Sequence, residues 1–216
     1  MSLLNKLLHF VLVASSKHNI DETHGLSHSL NVLHFAHNIL EEEKKDFPHL
    51  ETQEKIIYVS AAIHDMCDKK YMNQEDGLRQ IEDFLDDKLD DQEIDMVKKI
   101  ISTMSYSTVK RVGFPELGEY QHAYHIVREA DLLAAYDFDR CMLYNIHNQI
   151  AVEKSPELKM QDAYENAQNL FQNRVLKHNT DGLFITNYSK SHYLPLHIEA
   201  YKRLNTWKNI LKKPLV

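Results

Sequence analysis

The sequence predicts an all-α protein, and three observations carry that expectation. Apolar residues recur with a helical period along nearly the whole chain. Only 5 Gly and 5 Pro occur in 216 residues, too few for the turns of a β-sandwich or barrel. A hydrophobic share of 43% beside 26% charged residues allows a sizeable core under polar faces. One compact helical domain over residues 1–216 is therefore expected.

The elements follow in order. In "MSLLNKLLHFVLVASSKHN" the apolar positions Leu3, Leu4, Leu7, Leu8, Val11 and Leu12 keep helical spacing, and Asn5, Lys6 and His9 interrupt them. The stretch reads as an amphipathic helix rather than a signal peptide. From Ser27, the residues His28, Val32, Phe35, Ala36, Ile39 and Leu40 mark one helical face that ends in "EEEKKD" and Pro48. Glu51 to Met66 is expected as a second helix, with Ile56, Ile57, Ser60, Ile63 and His64 in phase. "NQEDGLRQIEDFLDDK" and "DQEIDMVKKIISTMSYS" supply two more. Gly113, Pro115 and Gly118 make "VKRVGFPELGEY" a loop. A long helix from about Tyr120 to Phe138 follows, then one or two over Ala151 to Lys177. "HNTDGLFITNYSKSHYLPL" reads as an ordered loop, with Pro195 opening a last helix to about Leu211.

Charge and cysteine usage narrow the function classes. A net charge of -7 argues against a broad nucleic-acid or membrane footprint, while leaving room for a local basic pocket. No run approaches the ~20 apolar residues needed to span a bilayer. Cys67 and Cys141 lie in no metal-binding spacing. Free thiols in a reducing compartment fit them, although two cysteines also suffice for one disulfide. The cytoplasm is the expected location, and the oligomeric state is open.

Chemistry concentrates in four places. His64 and Asp65 end the apolar run "VSAAIHD", where helical packing buries them or nearly so. Buried ionisable groups are costly unless paired or bound to metal. Neighbours on a helix point ~100° apart, so a packing stripe accommodates at most one of the two. Asp68 follows, then Lys69 and Lys70. In "THGLSH", His24 and His28 are at i and i+4, with His28 on the apolar stripe. In "HIVREADLLAAYD", Asp131 is set among Ile126, Val127, Ala130, Leu132 and Leu133.

Taken singly, each has a bland explanation. A lone His on an apolar face is usually a satisfied core residue, Asp131 can pair with Arg128, and Asp68 can be a solvated helix-end carboxylate. Together, two imidazoles and two carboxylates near the apolar faces of several helices suggest convergence on a metal. The mixed nitrogen and oxygen set suits a transition metal or Mg²⁺ with open water positions better than a closed structural zinc site.

The ordered set His28, His64-Asp65, Asp131 resembles the signature of the HD-domain metal-dependent phosphohydrolase superfamily. "HSLNV" matches its H-x-x-x-V step, "AAIHD" its AA-x-x-HD, and "READLLAAYD" its last, Ala- and Leu-bearing helix. His64 to Lys70 matches the HD-x-x-D-x-K of small stand-alone HD hydrolases, and "IISTMSYS" is similar to them as well. The resemblance covers about Asp21 to Arg140. Two departures are plain: the chain reads "EADLLAA" where small relatives carry "DADRLDA", so an Arg after the last Asp is missing, and the segment after Arg140 matches nothing.

The resemblance implies a hydrolase that cleaves a phosphate ester or anhydride, with nucleotides as the leading substrates. It implies His28, His64, Asp65 and Asp131 as ligands of a divalent ion (Mn, Co, Ni, Fe or Mg), and a second ion if Asp65 bridges. Asp68 would assist the reaction together with Asp65. His24, Lys69 and Lys70 would hold phosphate, with Lys110, Arg111 and Arg128 as weaker candidates. His34 and His37 read as surface or core histidines. A di-iron oxygenase is the alternative enzyme, and would need His122 and His125 as further ligands. A metal-stabilised signalling module is the alternative outside catalysis.

Overall fold

A computed structural model describes residues 2–150 and 152–212. The expected fold class holds: among these residues there are ten α-helices and no strand. The start of the helical expectation at Ala151 lies outside the described residues. The chain packs as two units. The first runs to Asp131 and takes in Thr186–Tyr188; the second comprises Leu132–Ile185 and the chain from Ser189 onward.

In the first unit α1 (Leu3–His18), α2 (Leu26–Glu43) and α5 (Asp91–Thr103) all pack against α3 (Glu54–Ile63). Burial explains why α3 is apolar nearly all round: Ile56, Ile57, Val59, Ser60, Ala61, Ala62 and Ile63 are all buried. On α2 the expected stripe is buried at His28, Val32, Ala36, Ile39 and Leu40, while Phe35 is half-buried. Of the α1 stripe, Leu7 and Val11 are buried, whereas Leu4 and Leu12 are exposed. α5 opens with a capping box in which Asp90 and Glu93 satisfy each other's backbone N–H groups.

α3 is shorter than the sequence suggested. Pro48–Gln53 forms a 3-10 turn before it, and the helix ends at Ile63. His64 to Met72 is a string of tight turns, closed by Met66 N–H to Ile63 O (2.9 Å), Asp68 N–H to Asp65 O (3.1 Å) and Tyr71 N–H to Asp68 O (3.0 Å). Asn73 then caps α4 (Gln74–Leu85) by accepting from the N–H groups of Glu75 and Asp76. Gly77 of α4 lies directly against this turn. A Cβ built there would fall 2.8 Å from Cys67 Cα and 2.9 Å from Met72 Sδ. Gly77→Ala is therefore expected to destabilise the protein by about 1–2 kcal/mol in urea unfolding, the overpacking exceeding the helix-propensity gain. A stabilised variant would show that the turn yields freely.

Three further boundaries differ from expectation. The segment 109–120 is only partly loop, because α6 (Tyr106–Val112) starts within the region assigned to the preceding helix. Ser105 makes that break by accepting from Thr108 N–H. The long helix expected to reach Phe138 stops as α7 (Gln121–Ala134), and Asp137 caps a separate α8 (Phe138–Asn148) by accepting from Arg140 N–H at 3.0 Å. The last helix, α10 (Asn187–Leu211), begins eight residues before Pro195 and carries that proline inside it. Its first turn is capped from elsewhere in the chain. Glu129 accepts from Thr186 N–H (3.1 Å) and Oγ1–H (2.7 Å), and Glu43 accepts from Tyr188 N–H (3.1 Å).

In the second unit α8 packs against α9 (Pro156–Asn173). Phe138 and Phe171 meet edge to face at 4.9 Å. Asp139 ties α8 to α10, accepting from Trp207 Nε1 at 2.7 Å and from Arg203 Nε at 2.8 Å. Cys67 and Cys141 are both free and buried, one in each unit.

Candidate metal centre

Three parts of the first unit deliver the metal-ligand candidates. His28 is in the first turn of α2, His64 caps the C-terminus of α3 with Asp65 behind it, and Asp131 is on α7. The imidazoles are almost sealed, with side chains 1% and 3% exposed, whereas Asp65 and Asp131 retain 15% and 25%. The cluster is thus apolar-backed and open on its carboxylate side.

Each imidazole nitrogen is close to the other and to both carboxylates. His28 Nε2 lies 3.2 Å from His64 Nε2, 3.5 Å from Asp65 Oδ2 and 3.2 Å from Asp131 Oδ1. His64 Nε2 lies 3.3 Å from Asp65 Oδ2 and 3.8 Å from Asp131 Oδ1. An ion with bonds of about 2.1 Å holds its donors about 3.0 Å apart at right angles and about 3.4 Å apart in a tetrahedron. The five separations fall in or near that interval. Among the described residues, His28, His64 and Asp65 each bring a candidate ligand atom within 4.8 Å of the other two; Asp131, close to both imidazoles, falls outside that group.

Local chemistry sets the donors. His64 Nδ1–H donates to Ala61 O at 3.0 Å, which turns Nε2 toward the cluster. Asp65 Oδ2 is buried and makes no hydrogen bond of acceptable geometry, although two imidazole nitrogens are close to it. Such an oxygen fits a cation better than a hydrogen-bonded core.

The electrostatics agree. Burial by itself would lower the His64 pKa, but the Asp65 carboxylate, aided by Asp131, raises it to about 9. Burial likewise works to raise Asp65 and Asp131. For Asp65 the His64 charge outweighs it, for Asp131 the hydrogen bond from His28 does, and both carboxyls stay below the ordinary range. At neutral pH a cation entering the cluster must therefore displace one proton from His64, while both carboxylates are already ionised. Metal affinity is expected to rise about tenfold per pH unit from pH 7 toward about 9 and then level off. A flat profile, measured by competition with a metal-sensitive dye, would show that His64 is no ligand.

Asp68 does not continue a helix from Asp65. It lies in the turn, where Oδ1 accepts from Lys70 N–H at 2.9 Å and Oδ2 is 3.7 Å from Lys70 Nζ. Lys70 Nζ also comes within 3.4 Å of His24 Nε2, and the His24 ring meets that of His28 edge to face at 6.2 Å. His24, Asp68 and Lys70 therefore gather beside the cluster, with Lys69 exposed in the same turn.

The remaining cations go elsewhere. Lys110 and Arg111 are exposed on α6. Arg128, offered as a phosphate candidate, is instead 1% exposed and ion-paired to Glu129 Oε1 at 2.9 Å. Its guanidinium also stands over the Phe114 ring at 4.7 Å. His122 Nε2 pairs with buried Glu43 at 2.9 Å. His125 is kept neutral, its pKa lowered to about 3 by burial, then by Arg128 and His122. His34 and His37 are exposed, the latter bonded to Tyr58 OH at 2.8 Å.

Three residues near the cluster escaped sequence reasoning: Asp21, Thr23 and Tyr71. Asp21 accepts from Tyr71 OH at 2.7 Å and from Thr23 N–H at 2.9 Å. The Asp21-x-Thr23 spacing of a local side-chain turn was the available signal.

No family model, curated protein or solved structure compared with the chain matches it. No helix among the described residues is long and apolar enough to cross a membrane.

Proposed function

We propose that the chain is a metal-dependent phosphohydrolase of the HD-domain superfamily, acting on a phosphate ester or anhydride, with nucleotides as the first substrates to test. The observation that carries this reading is the group of His28 Nε2, His64 Nε2 and Asp65 Oδ2, 3.2–3.5 Å apart, with Asp131 Oδ1 at 3.2 Å and 3.8 Å from the two imidazole nitrogens. His28, His64, Asp65 and Asp131 would hold one divalent ion: Mn, Co, Ni, Fe or Mg. Bound there, the ion supplies Lewis acidity and a water of lowered pKa.

The chain's own groups account for the rest. Lys70, between His24 and Asp68, offers positive charge to phosphate oxygens next to the cluster. That role matters more here because buried Leu132 stands where small relatives carry an Arg. Asp68 would orient the attacking water or protonate the leaving group. The second ligand set that a di-iron oxygenase needs finds no support, since His122 is engaged by Glu43 and His125 lies against Arg128 and Phe114. The cytoplasm remains the proposed location.

The test is a phosphate-release screen of nucleoside phosphates and simple phosphate esters with Mn²⁺, Co²⁺, Ni²⁺, Fe²⁺ or Mg²⁺. Turnover with at least one pair is expected. Tight metal binding without any turnover would favour the non-catalytic module. On the best substrate, Asp68→Asn is expected to lower kcat by about 10²–10⁴-fold, the usual worth of a positioned acid or base. Asn keeps the Oδ1 that accepts from Lys70 N–H, so metal content should not change. Parent-like turnover would reduce Asp68 to a turn-former.

A further inference from the structure

The polar network around His24 contains more order than a phosphate-contacting histidine requires. Thr23 Oγ1 and Tyr71 OH each donate to Asp21, the first to Oδ1 and the second to Oδ2 at 2.7 Å. A hydroxyl has one proton, and a carboxylate only accepts. With those protons committed to Asp21, both oxygens face His24 Nδ1 as acceptors, each at 3.0 Å. Nδ1 must then carry the hydrogen and Nε2 the lone pair. The other side of the ring gives the same answer independently. Lys70 Nζ, which can only donate, lies 3.4 Å from His24 Nε2. Asp21 is suited to this: burial works to raise its pKa, but the hydrogen bonds from Thr23 and Tyr71 hold it below the ordinary carboxylate range.

We infer that Asp21 is a positioning residue. Through Thr23 and Tyr71 it fixes the His24 tautomer, so that His24 Nε2 accepts from Lys70 and holds its ammonium at the edge of the metal centre for an anionic phosphate group of the substrate. The functional half rests on the phosphohydrolase reading; the tautomer does not. His24 thereby becomes the support of Lys70 rather than a separate phosphate donor.

The network dictates its own test. In Asp21→Asn the Thr23 backbone N–H, 2.9 Å from Oδ1, keeps the amide oxygen on that side and turns the new NH₂ group toward Tyr71. Two donors then face each other, so the Tyr71 hydroxyl rotates to donate to His24 Nδ1 and drives the hydrogen to Nε2. That hydrogen opposes the Lys70 ammonium. Asp21→Asn/Tyr71→Phe deletes the competing hydroxyl. Thr23 again accepts from Nδ1–H, and the original tautomer returns. A purely structural role makes the opposite prediction, because the double variant has lost more hydrogen bonds than the single one.

Long-range proton–nitrogen NMR of Mg²⁺-loaded protein, at a pH where the ring signals are those of neutral imidazole, reads the tautomer directly, with His24→Gln identifying the signals. The parent should show Nδ1–H, Asp21→Asn should show Nε2–H, and the double variant Nδ1–H again. Calorimetric titration with inorganic phosphate should show affinity weakened about tenfold in Asp21→Asn, the scale of one lost hydrogen bond to a charged group. The double variant should return to within about twofold of the parent. An unchanged tautomer in Asp21→Asn overturns the relay. A double variant that binds phosphate worse than the single one overturns the positioning of Lys70. If both measurements come out as expected while the parent turns over no phosphate compound, Asp21 keeps its role and the hydrolase reading is what fails.

Discussion

His64→Ala is expected to weaken metal binding by more than the about 10–100-fold that loss of an outer-shell partner costs, and with it any metal-dependent turnover. The imidazole is 3% exposed, pinned by Ala61 O, and 3.2–3.8 Å from the three other candidate donors. Asp65→Ala should do the same by another route. It removes a candidate ligand oxygen and leaves a cluster of lower negative charge to meet a cation, which outweighs the easier deprotonation of His64. Elemental analysis after gel filtration reads the stoichiometry, and circular dichroism confirms that each variant is folded. Because His64→Ala also opens a hole beside α3, His64→Gln provides a better-filled control. Parent-like metal content in both His64→Gln and Asp65→Ala would remove the doublet from the ligand set.

Arg128→Met is expected to cost about 3–5 kcal/mol of stability, the usual consequence of leaving one partner of a buried ion pair uncompensated. Arg128 and Glu129 are 1% and 0% exposed, and their side chains meet at 2.9 Å. Without the guanidinium the Glu129 charge loses its 2.9 Å ion pair and keeps the two hydrogen bonds from Thr186. Arg128→Met/Glu129→Gln should recover most of the loss, because the buried charge is gone and Thr186 still finds an acceptor. Urea unfolding of the four proteins measures the coupling. A double variant no more stable than Arg128→Met would mean that packing against Phe114, not charge, is what Arg128 supplies. Metal content of the folded protein should be unaffected, which separates this pair from neighbouring Asp131.

Several features were legible in the chain itself because they are written in local periodicity. The all-α class follows from the 3.6-residue repeat. The buried stripe of α2 places His28 inward, and the apolar run of α3 delivers His64 and Asp65 to its inner end. Asp131 among Ala130, Leu132 and Leu133 was readable for the same reason. Four candidate ligands could thus be named from spacing and resemblance, and the fold brings their donor atoms into one cluster. That each imidazole nitrogen would stand 3.2–3.8 Å from both carboxylates was not in the sequence, since each distance depends on how α2, α3 and α7 pack.

The tertiary structure alone decided what depends on partners far away in sequence. Pro195 looked like a helix start because a proline lacks the N–H that a first turn leaves unused. The helix begins earlier because Glu43 and Glu129, remote in the chain, accept from the Thr186 and Tyr188 amides. Arg128 was a weaker phosphate candidate by sequence; its burial against Phe114 and its pairing with Glu129 are packing events. Asp21 and Tyr71, fifty residues apart, meet around His24 only when the turn after α3 folds back onto the entry to α2. Sequence periodicity tells which face of a helix is apolar; it carries no information about which distant carboxylate or hydroxyl will arrive to satisfy a buried polar group. Here that arrival set the start of α10, the pairing of Arg128 and the orientation of His24.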